Sequence, residues 1–360
     1  MNLVSFNDPQ IAGKLLDGIR RAASGTGTIK IMEVCGTHTM EIGRLGLRSL
    51  LPENVELVSG PGCPVCVTPG GVIDTAAELA LGSGVVVSTF GDMVRVPGTR
   101  TSLEKTRTNG GAIQIVTSPL QAVANAESNP QKEFVFIAVG FETTVPVVAR
   151  AVTMTCEKNL ENMSFIICHR LVPPALDTLI ADRDIGISAF LLPGHVSAII
   201  GTGPYAFLDK EGVPAAITGF ESLDIVGGIH AVVTMLAGRH SGVVNRYPRV
   251  VKDSGNSHAM KLIDTVFRPV DAVFRGIGTI PQSGLALREK FARVDACRKY
   301  GIKIREHAMP QGCACGAVLK GKIIPDKCPL FATSCTPDTP VGPCMVSSEG
   351  SCAAYYRYER

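Results

Sequence analysis

Residues 134–144 read Phe-Val-Phe-Ile-Ala-Val-Gly-Phe-Glu-Thr-Thr. An unbroken apolar run, rich in β-branched and aromatic side chains, stops at a glycine and hands over to a carboxylate and two hydroxyls. A run that is apolar at odd and even positions alike buries both of its faces, as a strand does inside a parallel sheet covered by helices. The same texture recurs at 29–34, 55–59, 85–89, 113–117, 165–168, 189–192 and 215–218. Between several of these runs, at 75–81, 119–126 and 173–180, helix formers appear at helical period. The alternation predicts an α/β fold: two related α/β domains with mostly parallel sheets flanked by helices, plus a smaller Cys-rich domain.

The motif Gly-Phe-Glu-(Thr/Ser) occurs at 140–143 and again at 219–222, each time directly after a strand. Repetition of a turn in this way suggests two related units. The expected division is 1–119, 120–238 and 239–360. After about residue 240 the rhythm weakens, and residues 313–360 are too poor in apolar runs for a core of their own, so a metal or cluster is expected to hold them.

Almost every strand runs into a short turn that carries chemistry. Cys35 and His38 follow the first, Cys63 and Cys66 the second, Asp92 the third, Glu142 the fifth, Cys168 and His169 the sixth, His195 the seventh and Glu221 the eighth. In open α/β sheets the ligand crevice lies outside the carboxyl ends of the strands, so these side chains are expected to converge there. Asp92, Glu142 and Glu221 suit orienting a ligand or moving protons, or capping a helix. His195 is better placed to act than His230, His240, His258 or His307.

Charge and compartment narrow the classes. Lys and Arg total 35 against 32 Asp and Glu, a net charge of +3. With no long basic run, nucleic acid is excluded as a partner. Residues 1–20 have no apolar core of a signal peptide, and the most apolar stretch, 79–90, is far short of the roughly 20 residues that span a bilayer. A soluble, cytoplasmic protein is expected, with no membrane partner. Twelve cysteines are many for a reducing compartment and call for metal binding or thiol chemistry.

The pairs Cys35-x-x-His38 and Cys63-x-x-Cys66 describe either a closed zinc site, an open metal or thiol-redox site, or inert core thiols. Their place between strand and helix favours the second reading, because N–H groups at a helix N-terminus lower a thiol pKa. Six further thiols, Cys313, Cys315, Cys328, Cys335, Cys344 and Cys352, crowd the tail at spacings of no common zinc finger or ferredoxin. Four thiolates suffice for a 4Fe-4S cluster, which leaves a pair that such a cluster could reduce; zinc and a disulfide knot are the alternatives. Cys156, Cys168 and Cys297 have no partner at ligand spacing and read as buried thiols.

These motifs resemble the hydrogenase maturation factor HypD family. The resemblance rests on Glu-Val-Cys-Gly-Thr-His-Thr-Met (33–40), Gly-Pro-Gly-Cys-Pro-Val-Cys-Val (60–67), Gly-Phe-Glu-Thr-Thr (140–144), Cys-Pro-Leu-Phe-Ala-Thr-Ser-Cys-Thr-Pro (328–337) and Gly-Pro-Cys-Met-Val-Ser-Ser-Glu-Gly-Ser-Cys-Ala-Ala-Tyr-Tyr (342–356). It runs from about residue 29 to the C-terminus and departs from the family pattern at Ser351, where Ala is expected, and at Ala332, where Gly is expected. It implies a redox-active scaffold more than a turnover enzyme. With its partner HypC, such a scaffold holds iron while the Fe(CN)2CO centre of NiFe hydrogenases is built; HypE delivers cyanide, and HypC carries the product to the hydrogenase large subunit. By resemblance Cys35 is the iron ligand, Cys63 and Cys66 the neighbouring thiol pair with His38 beside them, Cys313, Cys328, Cys335 and Cys352 the 4Fe-4S ligands, and Cys315 with Cys344 a redox pair. A stand-alone iron-sulfur disulfide reductase and a zinc-stabilised binding module are the rival readings.

Overall fold

The computed structural model describes residues 8–305 and 308–360. His307 and the first seven residues of the N-terminal segment lie outside them. Eleven strands are formed among the described residues: β1 Ile29–Glu33, β2 Val55–Ser59, β3 Val85–Thr89, β4 Ile113–Ile115, β5 Glu133–Gly140, β6 Met163–His169, β7 Ala189–Pro193, β8 Pro214–Thr218, β9 Gly242–Asn245, β10 Phe267–Phe274 and β11 Gly278–Leu287. The first eight are the eight apolar runs of the sequence. The last three were not anticipated. Strands β10 and β11 pair antiparallel with a bulge at Val270/Ala272, and only the two end residues of β10, Phe267 and Phe274, are buried, so Arg268, Pro269 and Asp271 interrupt what would otherwise be an apolar run.

Two all-parallel sheets result, one ordered β2-β1-β7-β8-β9 and the other β4-β3-β5-β6. The chain starts the first sheet, leaves to build the whole of the second, and returns at β7. A boundary at 119/120 therefore falls between β4 and β5, two members of one sheet. The reason is topological: parallel neighbours need crossovers, and a crossover can be as long as a whole inserted sheet. The repeated motif does follow a strand of each sheet, β5 in one and β8 in the other.

Strand order also locates the crevices. In the first sheet the chain moves from β1 outward to β2 on one side and resumes with β7 on the other, so the order reverses between β1 and β7. In the second it reverses between β3 and β5. Ligand crevices open at such reversals. Cys35 follows β1, His195 follows β7, Asp92 follows β3 and Glu142 follows β5.

The outer face of the first sheet is covered by the helices Pro9–Ala23 and Ser222–Ala237, and that of the second by Val145–Glu157 and the segment around β10 and β11. Between the sheets lies a common core to which Val34, Cys66, Phe141, Phe190 and Tyr205 contribute. The Cys-rich tail is part of it: Cys315, Leu319, Phe331, Cys344, Met345 and Cys352 are buried there. Apolar burial against the sheets thus supplies the support that the tail's own composition lacks. The helix Ser351–Tyr358 lies on the helix Gly36–Arg44, with Arg48 paired to Glu359 and stacked over Tyr355. No helix among the described residues is long and apolar enough to cross a membrane.

Candidate functional site

Cys35 follows β1 as the N-cap of the helix Gly36–Arg44, and Cys63 caps the short helix Pro64–Val67 after β2. The two turns are laid against each other, backbone to backbone. Gly60 N–H donates to the Glu33 carbonyl (2.7 Å) and Gly36 N–H to the Gly62 carbonyl (3.2 Å). A Cβ on Gly62 would stand 2.1 Å from the Cys35 nitrogen, so only glycine fits.

Above this junction opens a cleft of about 390 Å³ between the two sheets. Cys35, Thr37, Thr143, Thr144, His195 and Glu349 line it, with Val34, Phe141 and Val196 supplying apolar wall. Burial pushes the Cys35 thiol up to about 12, against the pull of the His38 and Thr37 N–H groups. The helix terminus that was expected to activate this thiol is outweighed by desolvation. A metal cation at the sulfur is the kind of partner that reverses the balance, since a coordinating thiol is deprotonated outright.

His195 is exposed at the cleft, stacked on Phe220 at 3.9 Å, and shifted below its ordinary value by partial desolvation. His38 is fully buried and reaches the end of β8: its Nε2–H donates to the Gly219 carbonyl and meets the Thr218 hydroxyl, both at 2.9 Å. Burial holds it neutral, near 4, and it does not line the cleft. Glu142 is buried behind the Phe141 wall, where Oε1 accepts from Val172 N–H (2.9 Å) and Oε2 has no partner; burial raises it to about 7. Asp92 lies elsewhere, exposed, accepting a hydrogen bond from Ser347 (3.0 Å) and so tying the tail to the second sheet. Cys168 and His169 are buried at the end of β6, and both ring nitrogens of His169 are unpartnered.

Two carboxylates belong to the site that were given no role from sequence. Glu33 is wholly buried beneath Cys35, accepting from Cys35 N–H (3.2 Å) and the Thr39 hydroxyl (2.5 Å), and burial raises it to about 7. An ionisable residue closing an apolar strand is a signal for it. Glu349 accepts from the Thr37 hydroxyl at 2.8 Å although 312 residues separate them. No local pattern could have brought Glu349 to this cleft.

Behind the cleft the thiols meet. All twelve cysteines are free. Cys63 and Cys66 are buried and outside the cleft lining; the Cys66 side chain contacts Cys63 on one side and Cys344 on the other. Cys344 in turn contacts Cys315 and Cys352, and Cys313 contacts Cys315. Cys335 accepts the N–H of Val341 at 3.4 Å. Burial pushes Cys66 well above the ordinary thiol range, and contact with Cys315 does the same to Cys344. Among the described residues no three His, Cys, Asp or Glu side chains stand together at the spacing that would hold a metal ion. Cys156 and Cys297 lie apart from these groups and partly buried, and Cys297 neighbours Cys168.

The sequence matches the family described as Hydrogenase formation hypA family, HypD, over residues 10–359. The chain belongs to the HypD family. Among its relatives the hydrogenase maturation factor HypD of Escherichia coli is 41% identical over 362 residues, covering 99% of this chain and 97% of the relative. HypD of Cupriavidus necator is 41% identical over 365 residues (99% and 96%), and HypD2 of Bradyrhizobium diazoefficiens 42% over 365 (99% and 96%). The motifs that carried the resemblance are thus part of an end-to-end match to HypD proteins.

Proposed function

We propose that this chain acts in NiFe hydrogenase maturation as the scaffold that, with HypC, holds iron at Cys35 while the Fe(CN)2CO centre is assembled. The observation that carries the reading is the unbroken row of side-chain contacts Cys63–Cys66–Cys344–Cys315, which joins the tail thiols to the turn beneath the Cys35 cleft. Iron is cargo here, gripped by Cys35 and by a cysteine of HypC, with cyanide arriving from HypE and the product leaving through HypC to the hydrogenase large subunit. Thr143, Thr144 and His195 line the same cleft and offer hydrogen bonds to cyanide nitrogens, while the Val34 and Phe141 wall suits carbon monoxide.

The donor set of the tail fits a 4Fe-4S cluster. Cys328, Cys335 and Cys352 are buried, Cys313 is half-buried, and Cys335 already receives a backbone N–H of the sort that stabilises cluster thiolates. Bound there, a cluster supplies electrons one at a time to the Cys315/Cys344 disulfide. The chain's own thiols do the rest by exchange. The Cys344 thiolate attacks the Cys66 sulfur of a Cys63–Cys66 disulfide and Cys63 leaves as thiolate; Cys315 then attacks Cys344 and frees Cys66. One dithiol is oxidised as the other is reduced. A reductase acting on another protein's disulfide needs a thiol pair that the substrate can reach, and burial of Cys63, Cys66, Cys315 and Cys344 weighs against it. Free thiols throughout suit a reducing cytoplasm.

Metal analysis with infrared spectroscopy tests the reading. About four irons per chain plus a fifth with metal-carbonyl and cyanide bands are expected of the HypC complex; zinc alone, or four irons with no bands, defeats it. Cys35→Ala should keep the cluster and lose the diatomic bands, and their retention would give the iron another ligand. Cys315→Ala should keep the cluster absorption and slow reduction of the iron site, and normal maturation removes the relay.

A further inference from the structure

Two neighbouring residues in the turn between β10 and β11, Arg275 and Gly276, touch the carriers of both thiol pairs. The Arg275 N–H donates to the Val67 carbonyl at 2.9 Å, at the end of the helix that holds Cys66. Its guanidinium donates to the Pro97 carbonyl at 2.7 Å, and Arg275 is buried. The next residue, Gly276, has φ +76° and lies flat on Gly316, the residue after Cys315. A Cβ on Gly316 would stand 2.1 Å from the Gly276 oxygen, and a Cβ on Gly276 would stand 2.9 Å from the Gly316 Cα. On the far side Gly342 closes the packing, its position for a Cβ lying 2.6 Å from the Cys315 sulfur.

We propose that the 275–277 turn is a positioning bracket that sets the distance between the Cys63/Cys66 and Cys315/Cys344 pairs by holding Val67 and Gly316 at once. The inference rests on the reading of these pairs as an exchanging relay. The two carriers stand far apart in sequence, and the hairpin meets both through backbone atoms, which do not change rotamer. Thiol–disulfide exchange needs sulfur to approach sulfur along the existing S–S axis, and its rate is therefore sensitive to a displacement of the order of an ångström. A rigid two-stranded ribbon whose body is packed on the second sheet supplies that stiffness.

The experiment uses the purified full-length protein, reduced and then treated with diamide. Each new S–S bond sends two electrons and two protons to the azo group, which becomes the hydrazine. Peptide mass spectrometry follows two products in time, the Cys63–Cys66 disulfide, which closes within one turn, and the Cys66–Cys344 cross-link, which spans the bracket. Gly316→Ala and Gly276→Asn are expected to slow the Cys66–Cys344 cross-link by about tenfold or more while leaving Cys63–Cys66 closure unchanged. Asn tolerates the left-handed backbone of position 276, so this variant decides the matter if Gly316→Ala does not fold. Gly278→Ala strains the same hairpin at φ +119° but meets nothing within 4 Å, and it should cross-link at the unaltered rate. An unchanged cross-link rate in a folded Gly316→Ala or Gly276→Asn protein overturns the bracket, as does an equal loss in Gly278→Ala. If the unsubstituted protein forms no Cys66–Cys344 cross-link at all, the relay itself falls and takes the bracket with it.

Discussion

Replacing Gly62 by Ala puts a methyl group into the backbone of Val34 and Cys35. The new Cβ would sit 2.1 Å from the Cys35 nitrogen, 2.3 Å from the Val34 carbonyl carbon and 2.5 Å from the Cys35 Cα, where ordinary contact begins at 3.4 Å. The atoms it meets belong to the main chain, so no side chain can swing aside, and the loop must retreat by about 1.3 Å (3.4 less 2.1). That retreat breaks the Gly36 N–H bond to the Gly62 carbonyl, worth about 1 kcal/mol, and overpacking adds about 1–3 kcal/mol. A total near 2–4 kcal/mol, set against an unfolding entropy of roughly 2 cal/mol/K per residue, lowers the melting temperature by about 3–5 °C. Calorimetry measures the loss, and maleimide labelling of Cys35 should quicken as the 60–66 turn retreats from the Cys35 backbone. Gly13→Ala, in a helix with nothing within 4 Å, is the matched control and should not destabilise. A Gly62→Ala protein that melts within a degree of the parent, with Cys35 labelling unchanged, would refute the claim that the two turns are locked through their backbones.

Ala332 adopts φ +56°, a left-handed conformation that costs a residue with a Cβ about 1 kcal/mol; Ala332→Gly should raise stability by up to about 1 kcal/mol in urea titration, and a loss would contradict the strain. Glu142, raised by burial from 4.5 to about 7, keeps a proton in the folded state that the unfolded chain gives up above 4.5, so its contribution is greatest below pH 4.5 and is lost as pH rises through 7. Relative to the parent, Glu142→Gln should therefore gain roughly 3 kcal/mol between pH 4.5 and 7.5; a pH-independent difference would mean that the carboxyl is ionised when folded. Arg48→Ala should loosen the tail helix from the Cys35 helix, costing about 1–3 kcal/mol through the part-buried Glu359 it leaves behind, and Glu359→Gln should cost less. Equal losses in urea titration would place the effect in the Tyr355 stacking instead.

Much of the candidate site was legible because it is local. Strand ends and their turns are written in consecutive residues, so Cys35, Cys63, Glu142 and His195 could be placed at carboxyl ends before any coordinates. His38 and Asp92 read equally well by that rule and yet lie outside the cleft, because the rule places the backbone and not the direction in which a side chain is buried. The departure at Ala332 was visible as a residue type, and only the backbone angle gives it a cost.

The amino-acid sequence alone determined the α/β class, the eight apolar strands, the clustering of thiols and the family. Tertiary structure alone decided which strands share a sheet, that Glu349 joins Thr37 over Cys35, and that Cys66 meets Cys344. Hydrophobic period and turn chemistry act over a few residues and leave a mark at each position. Sheet order and contacts across hundreds of residues arise from how the buried faces pack together, and that information resides in no single stretch of the chain.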